Sequence, residues 1–390
     1  MDFRPAPTVE KTRNEFRAWL RENLPDRAAW KCLENSDDVP ARIAFLKAWQ
    51  RKLYEARWVA VHWPAEYGGR GGSLLEHLAV TEELLRAEVP PLINAHSISI
   101  SGPTLLGFGT PAQKARYLPK LLNADEVWCV GFSEPNAGSD LASLRTRAER
   151  DGDDWVLNGQ KVWTTYANQS DFGLFLVRTD PTAPSHKGLS ALIVPIPSPG
   201  LEVRPLREMT GENDFNEVFL DNARVPGGNL VGEVNKGWQV IMAALGHERG
   251  TLVLVDRVRM REHIDRLLRL VHRQEQGADP LVRQQVAQLY TEVEIMGLHC
   301  FKIMGDIEQH RPGTDASVLK LFGSELAQRL HDFALAVEGP YAQLWGDGSR
   351  LVDEGEWQYS WLLARALTIA SGTSEVQRNI IAQRLLGLPR

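Results

Sequence analysis

The sequence predicts an α+β protein of several domains: helices first, then a β domain, then a helical bundle. Three observations carry this. Apolar residues recur at helical spacing over roughly the first 125 residues. Between about Val127 and Val234 the period drops to two, and after Gly237 helical spacing returns in longer runs. A chain of 390 residues is also longer than one hydrophobic core ordinarily organises.

In the first part, Phe16, Trp19, Leu20 and Leu24 share one helical face, and Leu46, Trp49 and Leu53 share another. Ser73 with Glu76, and Thr110-Pro111 with Gln113, have the spacing of capping boxes; proline at a first helical position sacrifices no hydrogen bond. Between helices, the run His62-Trp63-Pro64-Ala65-Glu66-Tyr67-Gly68-Gly69-Arg70-Gly71-Gly72 sets glycines beside bulky rings. It predicts a fixed loop against a neighbouring surface.

In the middle, Leu144, Thr146 and Ala148 alternate with Arg145, Arg147 and Glu149. Asp151-Gly152 and Asn158-Gly159 predict two hairpin turns. Phe172–Thr179, Leu189–Ile196, Leu201–Leu206 and Glu217–Asp221 read as further strands. Short strands at this spacing predict a small antiparallel barrel or sandwich. Further on, Val282, Val286, Leu289, Val293 and Met296 step by four and three, as a bundle seam requires. Leu319, Phe322, Leu326, Leu330, Phe333 and Val337 mark another helix, and a last one is predicted to follow Ser374, with Gln377 three residues on. The domains are placed at 1–126, 127–235 and 236–390.

Composition narrows the function. With 43% hydrophobic and 24% charged residues the chain is neither disordered nor collagen-like. Its net charge of −6, without any Lys/Arg run, argues against a nucleic-acid partner. The three cysteines Cys32, Cys129 and Cys300 have neither disulfide-framework nor metal-ligand spacing, which suits a reducing compartment. No apolar run approaches the roughly 18 residues of a membrane span, and the N-terminus lacks the apolar core of a secretory signal. A cytoplasmic protein without a membrane partner is expected.

Two segments carry candidate chemistry. Trp128–Asp140 is a strand feeding a turn of small residues, which brings backbone N–H groups close to a phosphate or flavin; a plain β-turn fits the same residues. Asn158–Asn168 sets Trp163 and Thr165 two residues apart on one strand face; a hairpin with a core tryptophan is the plainer reading.

The motifs are specific in combination. Ser133-Glu134-Pro135-x-Ala137-Gly138-Ser139-Asp140 precedes Asn158-Gly159-x-Lys161-x-Trp163-x-Thr165. Gly372-Thr373-Ser374-x-x-Gln377-Arg378 closes the series and Trp63-Pro64-x-Glu66-Tyr67-Gly68-Gly69 opens it. In this order they resemble the acyl-CoA dehydrogenases over nearly the whole chain. The resemblance implies an N-terminal helical domain, a middle antiparallel β-barrel and a C-terminal four-helix bundle.

It also implies FAD as cofactor. Phe132 and Ser133 fall where the family contacts the flavin ring, and Gly138 and Ser139 near the flavin and the thioester tail. Trp163 matches the tryptophan that covers the ring system, and Thr165 the hydroxyl near flavin N5. Gly339 matches an element that meets the adenosine half across a subunit interface. Thr373 and Glu375 complete the site, Glu375 standing where the family has an amide side chain.

The implied reaction is α,β-dehydrogenation of an acyl-CoA to the 2-enoyl-CoA, as in fatty-acid or side-chain β-oxidation. It needs a desolvated carboxylate to take the α-proton. Many members carry that glutamate directly before Gly-Thr-Ser; here the residue is Ser371. Isovaleryl- and long-chain-type members carry it on the first long helix after the barrel, before an arginine, which matches Glu248 and Arg249. Glu248 is therefore the expected base, Arg249 a support for the CoA site, and Ser371 a small residue that leaves room for a branched, bulky or longer acyl group. A solvated charge pair is the plainer reading of Glu248–Arg249.

The implied partners are acyl-CoA, an electron-transfer flavoprotein as acceptor, and further copies of the chain in a homodimer or homotetramer. Two segments depart from the family: Arg273–Asp279 replaces Arg-x-x-Phe-Gly, and Glu338-Gly339-Pro340-Tyr341 replaces a glycine-richer stretch. Both belong to the inter-subunit half of the cofactor site. They leave open a half-competent subunit of a hetero-oligomer. A flavin monooxygenase of the same fold is the third alternative.

Overall fold

The computed structural model describes residues 6–34, 36, 38–309, 315–346 and 350–389, without the side chains of 244, 246–254 and 308. The chain divides into two compact units, Met1–Glu208 with Glu212–Glu248, and Met209–Gly211 with Arg249–Arg390.

The first unit opens with helices α1 (Pro7–Asn23), α2 (Arg27–Glu34), α3 (Val39–Glu55), α4 (Leu74–Arg86), α5 (Ala95–Ser99), α6 (Ser101–Phe108) and α7 (Pro111–Leu122). Phe16 and Leu20 of α1 are buried with Trp49 and Leu53 of α3. Leu24 leaves the predicted face: it caps α1 in an extended conformation, 51% exposed, because Pro25 follows it and disfavours helical backbone. Both capping boxes form. Ser73 Oγ accepts from Glu76 N at 3.2 Å while Glu76 accepts from Ser73 N at 2.7 Å, and Thr110 with Gln113 does the same at 3.2 and 2.9 Å.

The glycine-rich loop is fixed, as predicted. Arg70 and Gly72 donate their amides to the Val61 carbonyl, Gly71 donates to that of Trp63, and the Arg70 guanidinium stacks 3.9 Å above Trp58. A Cβ on Gly69 would stand 2.1 Å from the Trp63 carbonyl oxygen, so only glycine fits there.

The same unit holds one eight-stranded sheet: β1 (Trp128–Gly131), β2 (Arg147–Asp151), β3 (Asp154–Lys161), β4 (Phe172–Arg178), β5 (Leu189–Pro195), β6 (Leu201–Pro205), β7 (Asn216–Pro226) and β8 (Leu230–Val231). Its order is β6-β7-β3-β2-β4-β5-β8, with β1 also on β4. The expected middle β domain is present, but its sheet does not close into a barrel and is not wholly antiparallel. One edge of β4 is shared: β1 pairs parallel with Phe172–Phe175 and β2 parallel at Arg178, so the ladder forks and leaves β6 and β8 as open ends. The remaining pairs are antiparallel.

The alternation of β4 sorts its side chains. Leu174 and Leu176 join the helical core with Phe16, Trp49 and Leu118, while Phe175 and Val177 join a second core with Trp155, Leu192 and Val218. Burial on both faces explains the unbroken apolar run of that strand. Asp151 pairs with Asp154 across Gly152, as the first predicted hairpin requires. Asn158-Gly159 makes no turn. Gly159 lies inside β3, where the register with β7 shifts and φ is +150°.

Helix α8 (Gly237–Arg273) begins in the first unit and continues into the second, which adds α9 (Pro280–Glu308), α10 (Asp315–Glu338), α11 (Glu356–Leu367) and α12 (Ser374–Ile380). Four of these, α8 to α11, are long helices, in keeping with the bundle. On α9 only Leu289, Val293 and Met296 of the predicted seam are buried. On α10 Leu319, Leu326, Leu330 and Val337 are buried, with Phe322 and Phe333 half-buried. The cap of α12 is Thr373 rather than Ser374: Thr373 Oγ1 accepts from Val376 N at 3.2 Å. No helix among the described residues is long and apolar enough to cross a membrane.

Candidate functional site

A buried amide network sets the position of β1. Gln50 donates to the Leu121 and Leu122 carbonyls and accepts from Asn94 N. Asn94 in turn donates to the Leu121 and Glu126 carbonyls at 2.9 and 2.8 Å and accepts from Trp128 N at 3.0 Å. Ser97 donates its hydroxyl to the Trp128 carbonyl at 2.6 Å. Buried helix ends and the first strand thus satisfy one another.

Strand β1 feeds the loop 132–140. Glu134 and Ala137 exchange reciprocal backbone bonds of 3.1 and 3.0 Å, which closes the turn over Pro135 and Asn136. Phe132 and Ala137 are buried; Gly138 and Ser139 are exposed at the far end. Glu134 is itself buried. Its carboxylate accepts from Arg145 N at 2.7 Å, Thr146 N at 2.8 Å and Lys161 Nζ at 2.9 Å, and Lys161 Nζ also donates to the Phe132 carbonyl at 3.0 Å. Burial works against the charge on Glu134, but Lys161 and the two amides outweigh it and hold the carboxyl below its ordinary range. Burial pushes Lys161 down to about 8 against the pull of Glu134.

Lys161 ends β3, and the next four residues depart from the single strand face predicted for Trp163 and Thr165. The strand stops, and Trp163 takes a left-handed backbone with φ +59°. Such a conformation is an outlier for so large a residue. Its indole is 60% exposed and meets Phe215 edge-on. Val162 N donates to the Ser133 carbonyl at 3.0 Å, which ties Ser133 to the residue before Trp163. Among the described residues, no hydrogen-bond partner occurs for the hydroxyls of Ser133, Ser139 or Thr165, and the buried Thr164 Oγ1 is also unpaired. Thr164 exchanges backbone and amide bonds with Asn216, and Tyr166 donates to Asp214 at 3.1 Å. Burial, with Glu212 and Glu208 nearby, raises Asp214 to about 6. An open indole beside unpartnered hydroxyls is a surface able to accept a planar, polar-edged ring.

In the second unit, Ser371 and Gly372 form a left-handed turn, φ +54° and +92°, before α12. Lys320 Nζ donates to the Gly372 carbonyl at 2.6 Å and Gln377 Nε2 to the Ser371 carbonyl at 3.0 Å. Thr373 is committed to its cap, and Glu375 is exposed beside Arg378. Gly339, φ +64°, ends α10. The side chains of Glu248 and Arg249, on α8, lie outside the described residues.

The ion pair Glu134–Lys161 carries no role in the sequence reading, although both residues stand in the quoted motifs. Parity contained the signal: Trp155, Leu157, Gly159 and Lys161 share one face of an alternating strand, so Lys161 points where Trp155 does, into the protein. Asp214 under Tyr166 had no comparable signal.

Three family models match the chain in succession: the acyl-CoA dehydrogenase N-terminal domain over residues 7–125, the middle domain over 129–223 and the C-terminal domain over 235–386. The chain is 40% identical over 383 residues to the acyl-CoA dehydrogenase IpdE1 of Mycobacterium tuberculosis (strain ATCC 25618 / H37Rv), which covers 98% of each. Among solved structures, the Tcur3481-Tcur3483 steroid ACAD superposes with a TM-score of 0.88 at 32% identity, covering 100% of both chains. The ChsE4-ChsE5 complex from Mycobacterium tuberculosis gives 0.83, also at 32% identity and 100% of both. Together with the three-part architecture, these matches establish that the chain belongs to the acyl-CoA dehydrogenase family, flavin-dependent oxidoreductases that act on the CH–CH bond of acyl-CoA thioesters.

Proposed function

We propose that this protein oxidises an acyl-CoA to its 2-enoyl-CoA with FAD as cofactor and Glu248 as the base. The observation that carries the cofactor reading is Trp163: strained, 60% exposed, and bordered by the unpartnered hydroxyls of Ser133 and Thr165. A flat aromatic face with polar groups at its rim fits a flavin ring. Bound there, FAD supplies the acceptor for the β-hydrogen as hydride.

The chain's residues do the rest. With FAD bound, Trp163 would cover the ring and exclude water, Phe132 and Ser133 would hold its edge, and the Thr165 hydroxyl would supply a hydrogen-bond donor to it. Gly138 and Ser139 would give passage to the thioester tail; by the family resemblance Gly339 would serve the adenosine half of FAD across a subunit interface, with Thr373 and Glu375 as further cofactor residues. The Glu248 carboxylate takes and holds the α-proton, a task that requires a desolvated setting. Arg249 supports the CoA end, and Ser371 leaves space for the acyl group. The name of the similar Tcur3481-Tcur3483 protein, a steroid ACAD, supports a bulky, ring-bearing acyl group over a straight one. An electron-transfer flavoprotein as acceptor is the family's habit, and three cysteines that form no disulfide suit the cytoplasm.

Purified protein is expected to be yellow and to bleach anaerobically with its substrate, read against straight, branched and polycyclic acyl-CoAs. Glu248→Gln keeps the colour and slows bleaching by about 10²–10⁴-fold. Bleaching at wild-type rate in that variant overturns the assignment.

A hetero-oligomeric subunit is the second reading. Arg273, in a segment that departs from the family pattern, binds Asp353 of its own chain at 2.7 Å, and Glu338 binds Gln358 at 2.7 Å. Both side chains are thereby engaged within the chain. The similar ChsE4-ChsE5 complex is, by its name, built from two different chains. An isolated chain that forms a homodimer or homotetramer with one FAD per subunit counts against this reading.

A further inference from the structure

We infer that the buried Glu134–Lys161 ion pair is a positioning device for the cofactor: it sets the spacing between the Phe132–Ser133 edge and the Trp163–Thr165 segment. The inference rests on the reading of that surface as an FAD site.

Lys161 is fully buried at the end of β3, and its ammonium reaches both the Phe132 carbonyl (3.0 Å) and Glu134 Oε1 (2.9 Å). The same carboxylate takes the amides of Arg145 (2.7 Å) and Thr146 (2.8 Å) at the approach to β2. Three segments therefore converge on one side chain. The turn itself has no need of buried charge, because the reciprocal Glu134–Ala137 backbone bonds close it. Nor is burial of two charges a route to stability, since apolar residues of similar volume commonly do as well.

What the pair adds is direction. It takes up the Phe132 carbonyl from inside, and Val162 takes up that of Ser133. The Ser133 hydroxyl is left as the polar group of that edge without a protein partner among the described residues. Two residues past Lys161, Trp163 inherits its place from the same anchor. Electrostatics agree: burial lowers Lys161 to about 8 while Glu134 pulls the other way, and Glu134 is held ionised by its partners.

The test uses three holoproteins: wild type, Glu134→Asp, and the double variant Glu134→Gln/Lys161→Met. The first substitution keeps both charges and retracts the carboxylate by one methylene; the double removes both charges together. FAD dissociation constant, flavin midpoint potential and Tm are measured on each. We expect both variants to fold, with FAD held about ten- to a hundredfold more weakly and the potential shifted. A folded variant of either kind with wild-type affinity and potential overturns the inference. Unfolding of both also overturns it, because the pair then holds the fold and not the site. Wild-type protein that carries no FAD overturns the site reading itself, a result distinct from unchanged variants.

Discussion

The indole of Trp163 meets the ring of Phe215 edge-on, centroids 5.9 Å apart and planes at 86°, while its own backbone sits at φ +59°. One aromatic contact therefore accompanies a strained backbone at the most exposed tryptophan of the candidate site. Trp163→Gly and Trp163→Ala both lose the ring, so their difference isolates the backbone. Glycine relieves the left-handed strain but adds freedom to the unfolded chain. The glycine variant is expected to be the more stable by about 0.5–1 kcal/mol in urea titrations. Equal stabilities mean that no strain is stored there.

Gly159→Ala is expected to destabilise by about 2 kcal/mol or more. The new Cβ would lie 2.7 Å from Thr146 Cα, in a backbone at φ +150°. Thr146 is also a partner of Glu134, so the displacement reaches the candidate site. Thermal denaturation together with flavin retention checks both effects; a change in neither means that the bulge tolerates a side chain and bears on nothing beyond itself.

Asn94 links the carbonyls of Leu121, at the end of α7, and of Glu126, in the following loop, to the first residue of β1. Asn94→Ala leaves the Glu126 carbonyl and the Trp128 amide without their side-chain partner, while the Leu121 carbonyl keeps Gln50, and is expected to cost about 2–4 kcal/mol. Asn94→Asp has the same shape but turns acceptors toward the Leu121 and Glu126 carbonyls, and is expected to lose at least as much. Urea midpoints of the two variants decide this.

The acid limb of stability should carry the signature of His331. Its Nδ1–H donates to the Ala327 carbonyl at 2.7 Å, so its Nε2 accepts from His263 Nδ1–H at 3.0 Å. Burial pushes His263 down to about 3 and His331 down to about 4. The unfolded chain binds protons at these rings from about pH 6.5 downward and the folded chain does not, so their contribution to stability falls as pH drops from 6.5 toward 4. Asp214 and Asp256, raised to about 6 mainly by burial, act with the opposite sign, so the comparison is made by subtraction. His331→Gln is expected to show a shallower loss between pH 6.5 and 4 than wild type. Parallel stability curves contradict the assignment.

Local rules with two independent cues were legible in the sequence. The capping boxes at Ser73 and Thr110 combine a hydroxyl with an acid or amide at fixed spacing, and both form. The strands at Phe172 and Leu189 combine β-prone residues with turn signals, and their bounds shift by one residue. Asn158-Gly159 misled because a glycine at positive φ serves a bulge as well as a turn, and only the strand opposite tells them apart. The sheet's open ends were hidden for a similar reason: β1 joins β4 across some forty residues of chain, beyond any periodicity. At the candidate site the motif residues were visible but their arrangement was not. Trp163 was expected on a strand face, but the residues flanking it and beyond, Thr164 and Tyr166, bond to Asn216 and Asp214 far along the chain, a pairing that no local pattern announces.

The turn at Ser371 and Gly372 has an evolutionary consequence. Lys320 and Gln377 grip it by its carbonyl oxygens, groups that every amino acid possesses. These two grips are thus independent of the side chain at position 371, although its left-handed backbone disfavours β-branched residues. Descendants can trade serine for something larger or acidic by a few base changes, keeping the bend of the chain intact while the chemistry presented there is revised.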